Sequence, residues 1–390
     1  MMRMAESVSG VQPEVLRWAR ESLHFTVDEV AARLKRDADE IRAWESGQLS
    51  PTFAQLETLA YKIYKRPLAA FFLPAPPYEP DAKSEFRMIP DAEMESLNWH
   101  TFYMIRLAHS LQDSLRQLSD RRSFSERKIF DDIKLDMDTD IKKSAMDIRS
   151  YLGVTLDAQK QWRTVDQALK IWRGAVEKSG IYVFKNSFKQ KNVSAFCITD
   201  EDFPIIYLNN STAKTRQIFS IFHELGHLLM QESDVVSATQ FSLEAPFVER
   251  SRQAEEFCNA LASEILLPSS EAQDILTPDN TNDLYIDQIA DRYRISREVI
   301  LRRMVDFGYF SREQYAEKVR SWAADYKSAE GSGGDYYATR ATYLGQNYLN
   351  LVYRRYAEGR ISGVEAADHL GVKVRSLPGL EKFVYGESST

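Results

Sequence analysis

Between Thr215 and Met230, the apolar residues Ile218, Ile221, Phe222, Leu225, Leu228 and Leu229 fall on one stripe at about 100° per residue. That pattern predicts a helix buried along one side. His223 and His227 project from nearly the opposite side, with Glu224 beside them. Positions i and i+4 share a helix face, so both imidazoles can reach one metal ion. A helix so divided lines a cleft with its polar face. Gly226 costs about 1 kcal/mol of helix propensity relative to alanine, and a small residue there is expected to let another backbone approach the metal.

A catalytic zinc usually takes three protein ligands and keeps one position open for water. The third is expected from a helix spanning Val248 to Leu267, which offers Glu249, Glu255, Glu256 and Glu264. Its buried stripe is Ala254, Phe257, Cys258, Leu261, Ala262, Ile265 and Leu266. Glu255 falls within that stripe, Glu249 and Glu256 point away, and Glu264 lies just outside the other edge. A carboxylate on a buried face is costly unless paired or bound to metal. Glu255 is therefore the expected third ligand, with a buried salt-bridge partner as the alternative. Glu224 is then placed as general base toward a water molecule. This is the pattern of a zinc-dependent peptidase, although two histidines and a glutamate also suit manganese or iron. A structural zinc normally has a closed four-ligand shell, and three ligands plus a base favour catalysis.

Upstream, Gly180–Phe184, Ala195–Ile198 and Pro204–Asn209 read as short strands joined by polar turns. Strands, the histidine helix and a glutamate helix together make a small α+β core, whose edge strand suits an extended peptide. The runs Pro204–Asn209, Arg216–Phe219, His223–His227 and Glu255–Ala262 continuing to Leu266-Leu267-Pro268 resemble the ImmA/IrrE family of bacterial metallopeptidases. The resemblance covers roughly residues 165–310. It implies a zincin-like core with Glu255 as third zinc ligand, in agreement with the helical phase.

The amino-terminal stretch has a different character. Pro13–Ser22 reads as a first helix, Thr26 caps a second over Val27–Leu34, and a third follows from Asp37 to Glu45. Thr52 caps a fourth, with Phe53, Leu56, Leu59, Ala60 and Ile63 at helical spacing. Ala31, Leu34 and Ile41 would pack the second helix on the third, as a helix-turn-helix requires. Ile41–Gly47 followed by Pro51-Thr52 resembles the XRE (Cro-like) repressor family, which implies DNA binding. Lys35, Arg36, Arg42 and Gln48 are the candidate contacts to bases or phosphates. Asp37, Asp39 and Glu40 oppose them in the same helix, so a dimerisation or substrate-docking module is the alternative.

Pro74–Pro77, Pro80 and Pro90 mark a linker or ordered strap. From Ala92 to about Tyr151 the apolar spacing predicts a long helical hairpin. A coiled-coil homodimer contact stays open there, since His100 and Ser114 interrupt the second apolar row. Ile286–Phe307 reads as a further helix-turn-helix capped by Ser296. It is either a second DNA-reading pair using Arg297, Arg302 and Arg303, or a packing pair that closes the metal cleft. Gly331–Gly334 reads as a flexible turn, Tyr336–Leu370 as two helices, and Glu387–Thr390 as a loose tail.

The expected architecture is mainly α with a small α+β core. It comprises an all-α helix-turn-helix domain (1–77), a linker and helical hairpin (78–160), a metallopeptidase domain (161–310) and a helical C-terminal region (311–390). No apolar run approaches the ~20 residues needed to cross a bilayer, and the first twelve residues lack the apolar core of an export signal. Cys197 and Cys258 lie in apolar segments and read as small buried residues of a reducing, cytoplasmic compartment. The net charge of −7 argues against a broad nucleic-acid-coating surface but allows a local DNA-reading module. The family resemblances imply a protein substrate, an XRE-type repressor or antitoxin, cleaved to derepress a stress, mobile-element or phage-defence operon. Two rivals stand beside that expectation: a metal-sensing transcriptional regulator, and the toxin or effector half of a defence system.

Overall fold

The computed structural model describes residues 6–79, 97–121, 125, 127–190, 192–230, 245–325 and 335–385, with backbone only for 245–251 and 323–325. The fold is mainly α-helical with one three-stranded sheet. It divides into two compact units, residues 1–107 and 108–390.

In the first unit, Pro13 opens α1 (Pro13–Glu21), where a missing N–H costs nothing. Thr26 and Glu29 form a reciprocal capping box at the start of α2 (Val27–Leu34), and Lys35 ends that helix in the left-handed conformation at φ 56°. α3 runs from Ala38 to Glu45, with Asp37 at the cap position rather than inside the helix. A second capping box, Thr52 with Gln55, starts α4 (Phe53–Glu57), which continues as a π-helical segment to Tyr64. Ala31 and Ile41 are buried between α2 and α3, while Leu34 is only half-buried. Leu56, Leu59, Ala60 and Ile63 are also buried, but Phe53 is 57% exposed. Side chains tilt toward a helix's N-terminus, so at the first helical position Phe53 points off the end instead of into the core. Arg20 clamps α1 to α3, its Nε and Nη2 donating to the two Glu45 carboxylate oxygens at 2.8 and 2.9 Å.

The boundary between the units falls within α5 (Trp99–Leu118). The expected hairpin takes another form. A single turn, α6 (Ile129–Asp132), is followed by α7 (Ile141–Leu152) and α8 (Leu156–Lys160). α9 (Val165–Lys178) leads into β1 (Tyr182–Asn186), β2 (Ala195–Ile198) and β3 (Ile205–Asn209). β3 is central and buried throughout; β1 pairs with it in parallel, Tyr182 beside Ile205, and β2 antiparallel, Ala195 beside Leu208. The histidine helix is α10 (Lys214–Leu229) and the glutamate helix α11 (Ala245–Leu266). α7 packs chiefly on α11, because its face of Ala145, Ile148 and Leu152 belongs to the core of the second unit.

Beyond these lie α12 (Ser269–Ile275), α13 (Asp283–Tyr293), α14 (Arg297–Asp306) and α15 (Arg312–Asp325). Ser296 caps α14 by accepting from the Val299 N–H. Four more α-helices follow among the described residues: α16 (Tyr336–Leu344), α17 (Gln346–Ala357), α18 (Gly363–Leu370) and α19 (Leu377–Tyr385). Three of them occupy the stretch where two were expected, because Gly345 breaks the first span at φ 83°. Pro80, Pro90, the Gly331–Gly334 turn and the 387–390 tail lie outside the described residues.

Candidate metal centre

α10 and α11 make the most extensive helix contact among the described residues. Gly226 permits it: a Cβ there would lie 2.9 Å from Cys258 Sγ and 3.3 Å from Cys258 Cβ. The glycine thus admits α11 at Cys258, its backbone included, for the Cys258 Cα would lie 3.5 Å from that Cβ. One turn before Gly226, α10 also rests on an edge-to-face aromatic series, Trp162 to Trp172 at 5.4 Å and Trp172 to Phe222 at 4.8 Å. The carbonyls at the C-terminal end of α11, which no helix can satisfy itself, are taken by three side chains from elsewhere. Arg149 Nη1 donates to Ile265 O at 2.6 Å, Gln159 Nε2 to Leu266 O at 3.1 Å and Arg303 Nε to Leu267 O at 2.9 Å.

Held in this way, Glu255 faces the histidine pair. His223 Nε2 and His227 Nε2 are 3.2 Å apart, Glu255 Oε2 is 3.2 Å from the former, and Glu255 Oε1 is 3.1 Å from the latter. Zinc bonds of about 2.0–2.1 Å place tetrahedral ligand atoms about 3.3 Å from one another. These separations, the carboxylate offering a different oxygen to each histidine, match the spacing of ligand atoms around one zinc ion. All three residues are half-buried, which keeps a side of the site open. Among the described residues, this is the cluster of histidine, cysteine and carboxylate groups fit to hold a metal.

Glu224 lies beside the histidines and is only 8% exposed. Burial pushes its carboxyl above the ordinary range, against the pull of His223 and His227, and the Cys197 thiol of β2 is hydrogen-bonded to it. For Glu255 burial also acts upward, but hydrogen bonds with both histidines outweigh it and hold the carboxyl well below the usual range. Cys197 is half-buried rather than buried, and Cys258 is fully buried and hydrogen-bonded to His227. Reading the cysteines as apolar filling misses these contacts. The spacing of three between Glu255 and Cys258, one helical turn, was the available signal.

Glu255 is 39% exposed in its side chain, so it does not belong to the buried stripe. The buried carboxylate is Glu264, which accepts from Arg303 Nη2 at 2.6 Å, the Ser269 N–H at 2.8 Å and Ser269 Oγ at 2.6 Å. The stripe widens there because α14 packs on the end of α11. Of the other two candidates, Glu256 is exposed and pairs with Arg252, and the Glu249 side chain lies outside the described residues.

The arginines of the 286–307 pair are all engaged within the fold. Arg303 serves Glu264 and Leu267, Arg302 Nη2 donates to Glu298 at 3.0 Å, and Arg297 meets Asp287 at 3.3 Å and lies over Trp322. Arg302 also lies over Phe219, 5.6 Å from the ring centre, and Phe219 stacks toward His223. α14 thus reaches α10 one turn from His223, and these contacts are of the kind the packing alternative expects.

In the first unit, Lys35, Arg36, Arg42 and Gln48 are exposed at the α2–α3 turn, along α3 and just after it. Arg42 is paired with Asp39 at 2.7 Å and lies 3.9 Å from Asp28; Arg36 lies 3.9 Å from Glu40. No helix among the described residues is long and apolar enough to cross a membrane. No curated protein matches the chain. Residues 176–305, the stretch that carries His223, Glu224, His227 and Glu255, match the family model of the IrrE N-terminal-like domain, Peptidase_M78.

Proposed function

We propose that the chain is a zinc-dependent endopeptidase in which His223, His227 and Glu255 hold the metal and Glu224 is the general base. The observation that carries this reading is the cluster of His223, His227 and Glu255 donor atoms, with neighbours at 3.1–3.2 Å and a buried carboxylate beside it. When bound, zinc lowers the pKa of water to about 7 and polarises a peptide carbonyl; manganese or iron would suit the same donors. Glu224 takes the proton of the attacking water and passes it to the leaving amine. Its burial makes it a stronger base than a solvated carboxylate, and Cys197 orients it. α16 packs on β1, whereas β2 carries no strand on its outer side among the described residues. An extended substrate pairing with β2 would therefore lie next to Cys197 and Glu224.

The substrate class follows from the company the peptidase keeps: a repressor or antitoxin of the XRE type, cut to release an operon of stress response, mobile-element control or phage defence. The N-terminal unit brings the peptidase to that target, on DNA or on the protein itself. Engagement of Arg36 and Arg42 by acidic neighbours favours docking on protein. The test is cleavage of a co-encoded repressor by wild type and Glu224→Gln. Wild type is expected to cut and the variant to lose about 10²–10⁴-fold in rate; equal cutting sinks the hydrolytic reading. If neither cuts with zinc bound, the metal-sensing regulator gains. Growth arrest on expression, relieved by Glu224→Gln, favours the toxin.

A further inference from the structure

We infer that Cys258 is the positioning residue of the metal centre: its thiol holds the His227 imidazole so that Nε2 faces the ion. The inference rests on reading His223, His227 and Glu255 as a metal shell. The two histidines are not equivalent. Both direct Nε2 at Glu255 and at one another, which leaves each ring its Nδ1. His223 Nδ1 is buried without a hydrogen-bond partner among the described residues. His227 has one, for its side chain is hydrogen-bonded to Cys258. With Nε2 directed at Glu255 and His223, the thiol is assigned to Nδ1.

The placement is built by the helix pair itself. Cys258 follows Glu255 by one turn of α11, so a single helix supplies both a ligand and the group behind another ligand. Its Sγ is fully buried over Gly226, where even a Cβ would come within 2.9 Å, and it also meets Met230 Sδ at 3.8 Å. A metal-bound imidazole almost always donates its second N–H to a carboxylate, a carbonyl or water, and loss of that partner typically costs 10–100-fold in metal affinity. Here the acceptor is sulfur. Nδ1–H donates to Sγ, which fixes the tautomer and leaves the Nε2 lone pair for the ion. Sulfur is a weak acceptor, but in this dry position water does not compete for it.

The experiment measures zinc affinity of the full-length protein by competition with a chromophoric chelator, beside the melting temperature of the zinc-free form. Wild type is expected to bind zinc stoichiometrically. Cys258→Ala should bind it about 10–100-fold more weakly, and Cys258→Ser, whose hydroxyl still accepts, should stay within about threefold of wild type. Should Cys258→Ala not fold, Cys258→Val fills the space without accepting and takes its place. A purely packing role would lower the melting temperature of the zinc-free variant and leave zinc affinity within about twofold, which overturns the inference alone. Wild type that binds no zinc overturns the metal reading, and this inference with it.

Discussion

Arg303 Nη2 and Glu264 Oε2 meet at 2.6 Å with side chains only 5% and 6% exposed, joining α14 to the glutamate helix α11. Removing one member of a buried pair strands the other charge, at a cost of about 3–5 kcal/mol. Arg303→Ala should lose stability of that order in chemical denaturation. The double change Arg303→Met with Glu264→Leu should recover only part of it: no buried charge is stranded, but the Ser269 N–H and the Leu267 carbonyl lose their partners. A single variant as stable as wild type but weaker on DNA would show that Arg303 reads nucleic acid after all.

Gly226→Ala adds helix propensity worth about 1 kcal/mol, yet its Cβ would stand 2.9 Å from Cys258 Sγ. Overpacking of this kind costs about 1–3 kcal/mol. The net expectation is loss of stability together with weaker zinc binding, because Glu255 shifts away from the histidines when the helices part. Denaturation and zinc titration read the two effects separately. A more stable variant with unaltered zinc affinity would contradict the expectation.

Zinc itself should stabilise the fold by about 2.7 kcal/mol when free zinc is 100 times its dissociation constant. Glu224→Gln should keep that stabilisation, since the base is not a ligand in this scheme. Glu255→Ala should lose most of it. Thermal melting with and without zinc is sufficient, and the reverse pattern would exchange the roles of the two glutamates.

Lys185 on β1 is 5% exposed. Burial lowers its amine to about 7, helped by Arg173 and Lys214 and opposed by Asp166. An unfolded lysine titrates near 10.4, so between about 7 and 10.4 the unfolded chain binds more protons and stability rises with pH. This contribution is complete above the unfolded value and lost as pH falls through the folded one. Lys185→Met should flatten the rise in denaturation midpoint between pH 6 and pH 9. An unchanged slope would place the titration elsewhere.

Binding of the full chain to operator-like and random duplex, titrated with salt, separates the two readings of the N-terminal unit. With Arg36 and Arg42 engaged by acidic neighbours, the expected outcome is negligible affinity for both at low salt. Sequence-specific binding that weakens steeply with salt and depends on Lys35 would establish DNA recognition instead.

Local periodicity made much of this molecule readable from its residues. The stripe on α10, the opposed histidines and the caps at Thr26, Thr52 and Ser296 depend only on neighbours three or four positions away, and the structure places them there. Phase selected Glu255 from four glutamates, though on a premise that belongs to Glu264: the buried, paired carboxylate is the latter. That exchange was invisible because the partner of Glu264 is 39 residues away. Arg149, which closes the end of α11 from 116 residues away, was equally out of reach. Periodicity shows that a face is covered without showing by what. For the same reason the thiols beside Glu224 and His227 went unseen.

The order β1-β3-β2, with β1 parallel and β2 antiparallel to the central strand, carries a directional consequence. A segment joining β2 in antiparallel fashion must run the same way as β3 and β1. An incoming chain held in that antiparallel pairing is read in one orientation, and reversing its sequence would leave its side chains out of step with Glu224 even if composition and length were unchanged.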